Sequence, residues 1–197
     1  MKGRSHAATV DARRSGGAFR ARNRRGLSRL LSWLGILGWL ATGCGASATP
    51  TGEADRRAAI QVMFDKVKDR YAEVPVIDRA GVAALEERAV LVDVRPPEER
   101  AVSTIAGALD VAAFRALPAD PERVVVTYCT IGERSGRFAR DLRETGIDAR
   151  NLTGGILEWT FAGGELIDPA GRPTKRAHVY GPRWNLLPEG WTGVYGD

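Results

Sequence analysis

The sequence predicts an α/β fold: a mostly parallel central sheet of about five strands, flanked by helices. Three observations predict it. Short apolar or β-branched runs stand at residues 74–77, 89–94 and 123–128, and further short strands are expected at 108–111 and 149–152. Runs of that kind, without polar alternation, suit strands covered on both faces. Stretches with helical spacing separate them, and an apolar strand alternating with a helix implies parallel neighbours. Gly, Pro and Asp clusters mark the turns between them.

Each element has a local reason. Residues 49–52 form a small-residue linker, after which residues 53–71 place Ile60, Phe64 and Val67 at helical spacing between charges. That is an amphipathic N-terminal helix, with its approach to the first strand occupying residues 53–73. Residues 74–77 are the first strand, and Asp78 is placed to cap a helix running through Leu85 to Glu87. Residues 89–94 form an apolar strand ending at the charged edge of Asp93, before the turn Pro96-Pro97. A helical turn at 98–102 leads to a strand at 108–111, and residues 117–121 (Leu-Pro-Ala-Asp-Pro) are a turn. The strand 123–128 follows. Residues 135–145 then carry Phe138, Ala139 and Leu142 at helical spacing and stop at Gly146. A last strand at 149–152 and a last helix at 155–162 complete the domain, residues 74–167. Residues 168–197 are rich in Gly, Pro and aromatics (Tyr180, Trp184, Trp191, Tyr195) and read as an ordered tail packed on the domain, because large aromatics are costly to leave in water. A disordered, partner-binding tail is the alternative.

The strand 123–128 delivers Cys129 to a tight loop that opens straight into a helix. Unpaired backbone N–H groups and the positive end of the helix dipole converge at such a place. The site favours an anion, so the thiol is expected to ionise below its free value of roughly 8.5 and act as a nucleophile. In open parallel sheets ligands gather beyond the carboxyl ends of the strands, where Cys129, Asp93 and Arg95 all fall.

Tyr128-Cys129-Thr130-Ile131-Gly132-Glu133-Arg134-Ser135 resembles the active-site loop of rhodanese-like sulfurtransferases. Leu91-Val92-Asp93-Val94-Arg95 with Glu98-Glu99 and Ile105-Ala106-Gly107-Ala108 resembles the family's upstream signature. Gly154-Gly155-Ile156-Leu157-Glu158-Trp159 resembles its closing one. The resemblance implies the rhodanese fold, and a reaction in which Cys129 takes sulfane sulfur from thiosulfate or a persulfide, then passes it to a thiophilic acceptor. The backbone of Thr130, Ile131, Gly132, Glu133 and Arg134 is expected to cradle the Cys129 persulfide, Gly132 permitting a geometry that a β-carbon would resist. Arg134 adds a positive charge at the rim, suited to an anionic donor. Asp93, Arg95 and Ser135 are expected to support the loop: Asp93 by accepting its N–H groups, Arg95 by pairing with an acid such as Glu99, Ser135 by capping the helix. Ser103-Thr104-Ile105 stands where the family commonly has Gly-His-Ile.

Two competing functions share parts of this pattern. A cysteine phosphatase or arsenate reductase also sets a cysteine loop at a helix start, but that phosphate cradle places five residues between Cys and Arg. Four separate Cys129 from Arg134, and Glu133 would repel a phosphate dianion. A binding module that carries a persulfide slowly, or recognises a partner without turnover, is the other.

The 197-residue chain carries a net charge of +5, concentrated at one end: residues 1–50 hold nine Lys or Arg against one acid, Asp11. The remainder is mildly acidic, which removes the electrostatic footing for nucleic acid. The basic segment precedes an apolar stretch, residues 30–41, too short for a comfortable membrane span. This is the pattern of an export signal, giving a leader at 1–43 and a tether at 44–52. Leu40-Ala41-Thr42-Gly43-Cys44 resembles a bacterial lipobox, with Ala41 where leucine is usual, so Cys44 is the expected lipidation site. The protein is then exported to the periplasm or cell envelope and anchored to the membrane by lipid. Cleavage after Ala46-Ser47-Ala48 would give simple secretion, and an uncut helix an anchor. Cys44 and Cys129 are the only cysteines, and His6 and His178 the only histidines. No metal site can be assembled from them, and no cofactor is expected. The expected partners are a small anionic sulfur donor and a thiol or cyanide acceptor, and the expected state is a monomer.

Overall fold

The computed structural model describes Pro50 and residues 52–196. The leader, Cys44 and all of the tether but Pro50 and Gly52 lie outside the described residues. Five strands form one sheet in the order β1 (Val76–Ile77), β6 (Ala149–Leu152), β5 (Val124–Tyr128), β2 (Ala89–Asp93) and β4 (Leu109–Asp110), with every pair parallel. The five-strand parallel sheet is the one the sequence predicts.

The sheet is covered on both faces because its strands are apolar on both. Along β5, Val124, Val126 and Tyr128 join one buried cluster while Val125 joins the other. The first cluster takes in α2 (Arg79–Leu85) and α6 (Gly155–Phe161) through Val82, Leu85, Ile156 and Leu157. The second takes in α1 (Glu53–Arg70) through Phe64 and Val67, and α5 (Glu133–Glu144) through Ala139. Ile60 of α1 reaches the first cluster as well, so α1 bridges the two. Burial of such side chains contributes roughly 25 cal/mol per Å².

The structure departs from the sequence reading at several elements. The strand expected at 108–111 is only Leu109–Asp110, and Asp110 caps a helix, α4 (Val111–Arg115), by accepting from Ala113 N–H at 2.8 Å. The helical turn after Pro96 is α3 (Pro97–Arg100). A small antiparallel sheet, β3 (Thr104–Ile105), β7 (Leu166–Ile167) and β8 (Pro173–Thr174), has no counterpart in the prediction. Strands of two residues have no period to read.

The C-terminal segment contains β9 (Arg176–His178) and β10 (Thr192–Val194), paired in parallel. Aliphatic side chains fix it to the first cluster: Ala177, Val179, Leu186 and Leu187 are buried there, with Trp184 and Trp191 packed against them. Tyr180 and Tyr195 stay exposed. Among the described residues no helix is long and apolar enough to cross a membrane.

Candidate active site

The parallel register places Asp93, last in β2, beside Tyr128, last in β5. Cys129 follows at once. Residues 129–132 make the loop, and Gly132 (φ +110°) is the N-cap of α5. The left-handed backbone there favours glycine. A β-carbon would also collide with the ring of Phe64 on α1 and approach Asn151 Nδ2. The helix therefore begins at Glu133, two residues before the predicted start, and Ser135 is not its cap.

The loop folds back on its sulfur. Gly132 N–H donates to Cys129 Sγ at 3.2 Å, and Ser135 Oγ lies 3.6 Å from the same atom. Ser135 has one proton to give, and its shorter bond is to Asn151 Oδ1, at 2.7 Å. Asn151 Nδ2 in turn donates to the Gly132 carbonyl at 3.0 Å. From the other side α6 docks on the loop, Ile156 N–H donating to the Cys129 carbonyl at 2.9 Å and Leu157 N–H to the Thr130 carbonyl at 3.3 Å. Both ends of the loop backbone are thus held. Cys129 is 1% exposed.

Arg134 does not stand free at the rim. Its two terminal nitrogens bond Glu99 at 2.6 and 2.9 Å, one of them also reaching Thr130 Oγ1 at 3.2 Å. Burial alone would lower the pKa of this guanidinium. Its hydrogen bonds to Glu99, with the charges of Cys129 and Glu99, outweigh that and raise it above the ordinary arginine value. Glu133 turns away to the rim, where it accepts from Arg70 at 2.6 Å and from the Tyr71 hydroxyl at 3.1 Å. Burial and that bond push the Tyr71 hydroxyl up.

Asp93 and Arg95 form a buried bidentate pair, at 2.9 and 2.6 Å, and Arg95 also donates to the Ser103 carbonyl at 2.7 Å. The expected Arg95–Glu99 pair is replaced by Asp93, which is closer in the chain and already in the strand end. Asp93 accepts nothing from residues 129–134. Its other donors are the Thr104 hydroxyl at 3.0 Å and the Tyr128 hydroxyl at 2.9 Å. Burial and the Asp93 charge push the Tyr128 hydroxyl far above its usual range, so it stays a donor. The pair therefore supports the loop indirectly, by fixing the residue before the cysteine.

Asn151, Glu99 as the partner of Arg134, Phe64 and the docking of α6 were not found from sequence. One signal was available for Asn151, a polar side chain inside the short strand Ala-Arg-Asn-Leu. A cavity of about 560 Å³ lined by Phe114, Leu117, Leu142 and Ile147 lies at the amino end of β5, away from Cys129. Among the described residues no group of His, Cys, Asp or Glu is placed to hold a metal.

Residues 81–162 match the family model of the rhodanese-like domain. No curated protein matches the chain. Among solved structures the chain is similar to a rhodanese-related protein from Thermoplasma volcanium, at 22% identity over 47% of this chain and 97% of that one, TM-score 0.42. It is similar to a thiosulfate sulfurtransferase from Pseudomonas aeruginosa, at 25% identity over 57% of this chain and 23% of that one, TM-score 0.46. It is also similar to a protein from Rhodopseudomonas palustris described as a possible tyrosine phosphatase, at 26% identity over 53% and 91%, TM-score 0.40. The family match runs from α2 to the end of α6 and takes in the Cys129 loop with Asp93, Arg95 and Glu99, so residues 81–162 carry a rhodanese-like domain.

Proposed function

We propose that the chain is a sulfurtransferase that moves sulfane sulfur through a persulfide on Cys129, the donor being thiosulfate or a persulfide and the acceptor a thiol or cyanide. The observation that carries this is the Cys129 sulfur at the start of α5 with the Gly132 N–H 3.2 Å away. In the first half of the reaction the Cys129 thiolate attacks the outer sulfur of the donor, and the donor's S–S bond breaks toward its inner sulfur. In the second half the acceptor takes the outer sulfur of Cys–S–S⁻ and the thiolate returns. The Gly132 N–H, already aimed at the sulfur, needs no reorganisation during either half.

Against a phosphatase stands Glu99, a buried carboxylate bonded to the arginine that would have to clasp a phosphate dianion. The burial of Cys129 favours a second reading, a slow persulfide carrier that serves one partner. Incubation with thiosulfate, then with a persulfide, followed by intact mass measurement tests the proposal. Cys129 should gain one sulfur atom and lose it to cyanide, and Cys129→Ser should gain none while keeping its circular dichroism. Sulfur transfer by a folded Cys129→Ser protein would refute it.

We further propose that Cys44 is acylated and anchors the protein on the extracytoplasmic side of a membrane. Acyl chains contribute roughly 0.8 kcal/mol per buried CH₂. The mature protein should partition into detergent and Cys44→Ala should not. A water-soluble product beginning at Thr49 would overturn this.

A further inference from the structure

Resting on the sulfurtransferase reading above, we infer that Glu99 sets the donor class of the site, selecting an uncharged or singly charged organic persulfide over the thiosulfate dianion. The cation nearest the loop is already committed, since both terminal nitrogens of Arg134 sit on Glu99. Glu99 is 3% exposed and its second oxygen also lies 3.4 Å from Thr130 Oγ1, so it cannot swing into water and release the arginine. Breaking a buried pair strands a charge. With Cys129 ionised, the group Cys129, Glu99 and Arg134 sums to one negative charge, to which His178, its Nδ1 3.9 Å from Glu99, adds nothing as a neutral imidazole. A dianion meets repulsion there and a neutral donor does not. Arg70, which approaches Glu133 at the rim, is held by that carboxylate.

The flank of the loop points the same way. Ile131 shares an apolar cluster with Val179, Leu186 and Leu187 of the C-terminal segment. Cys129 is itself 1% exposed, so a donor that reaches the sulfur sheds water, and that cost rises steeply with its charge. With an organic persulfide R–S–SH, the thiolate attacks the outer sulfur and the S–S bond breaks toward the R–S sulfur. The persulfide proton passes to that sulfur, leaving Cys–S–S⁻ and R–SH.

The test is single-turnover sulfur loading of the full-length protein by cysteine hydropersulfide or by thiosulfate, followed by intact mass. Cysteine hydropersulfide should load Cys129 at least roughly tenfold faster, the factor that one charge-assisted hydrogen bond represents. Glu99→Gln, which removes the charge opposing Arg134 and keeps only a neutral acceptor, should narrow that gap by roughly tenfold. Equal loading by the two donors, or a gap unchanged in a folded Glu99→Gln protein, overturns the inference. A wild-type measurement covers a variant that fails to fold. Added potassium chloride should speed loading by thiosulfate, because it screens repulsion, and slowing by salt would show an attractive site and overturn the inference. No loading from either donor would refute the function proposed above together with this inference.

Discussion

Ser135 and Asn151 meet side chain to side chain, the serine hydroxyl donating to the asparagine oxygen at 2.7 Å and the asparagine nitrogen donating onward to the Gly132 carbonyl at 3.0 Å. Both residues are buried. Through this relay β6 fixes the peptide after Gly132 and with it the start of α5.

Asn151→Ala should therefore act on the loop from a distance. It leaves the Gly132 carbonyl with the Gly136 N–H alone and the Ser135 hydroxyl with only its 3.6 Å contact to the Cys129 sulfur, at a cost of about 1–2 kcal/mol. Urea denaturation reads that loss. The double variant with Ser135→Ala should cost less than the sum of the two single changes, because both remove the same bond.

Arg95→Met tests the buried pair beneath Tyr128. It abandons the Asp93 carboxylate in a site that is 1% exposed, and the loss of one partner of such a pair costs about 3–5 kcal/mol. A loss under about 1 kcal/mol in denaturant would mean that the Thr104 and Tyr128 hydroxyls satisfy Asp93 without Arg95.

Gly155 and Gly171 separate backbone strain from collision. Both have positive φ, +57° and +75°, and an alanine at either pays roughly 1–2 kcal/mol for that conformation. At Gly171 the new methyl meets open space. At Gly155 it meets the carbonyls of Cys129 and Thr130, so Gly155→Ala should lower the melting temperature well beyond Gly171→Ala and slow sulfur loading of Cys129. Equal shifts in the two variants would contradict the docking of α6 on the loop.

Asp110 makes the stability of α4 depend on acid. The Ala113 N–H and then Arg100 hold its carboxyl below the ordinary 3.8. A carboxyl depressed in the folded state stabilises above its ordinary value, and that contribution disappears as pH falls through the depressed one. Asp110→Asn keeps a capping oxygen but not the charge. Its melting temperature should lie below wild type at neutral pH, and the two curves should converge as pH drops below 3.8.

The sheet was legible because β2 and β5 are apolar or β-branched runs between turn signals, and Cys129 because only one such run ends in a cysteine before a helix. The start of α5 was misplaced since the helical spacing of Phe138, Ala139 and Leu142 says nothing about the first turn, which Gly132 opens from a left-handed cap. Glu99 was seen but assigned to Arg95. Sequence shows that a carboxylate and two arginines approach one loop, and only the directions of the side chains decide the pairs. The two-residue strands and the aliphatic anchoring of the C-terminal segment depend on contacts between distant residues, which leave no local period.

The β9–β10 pairing has a consequence for the order in which the chain is made. Ile131, Ile156 and Leu157 are synthesised well before Val179, Leu186 and Leu187, yet all six share one cluster. While the ribosome still holds residues 174–197, the sheet and the cysteine loop are already outside it, with one apolar wall bare to water. A nascent chain at that stage presents a sticky surface beside its only described thiol, and folding finishes when the returning segment lays β9 and β10 together.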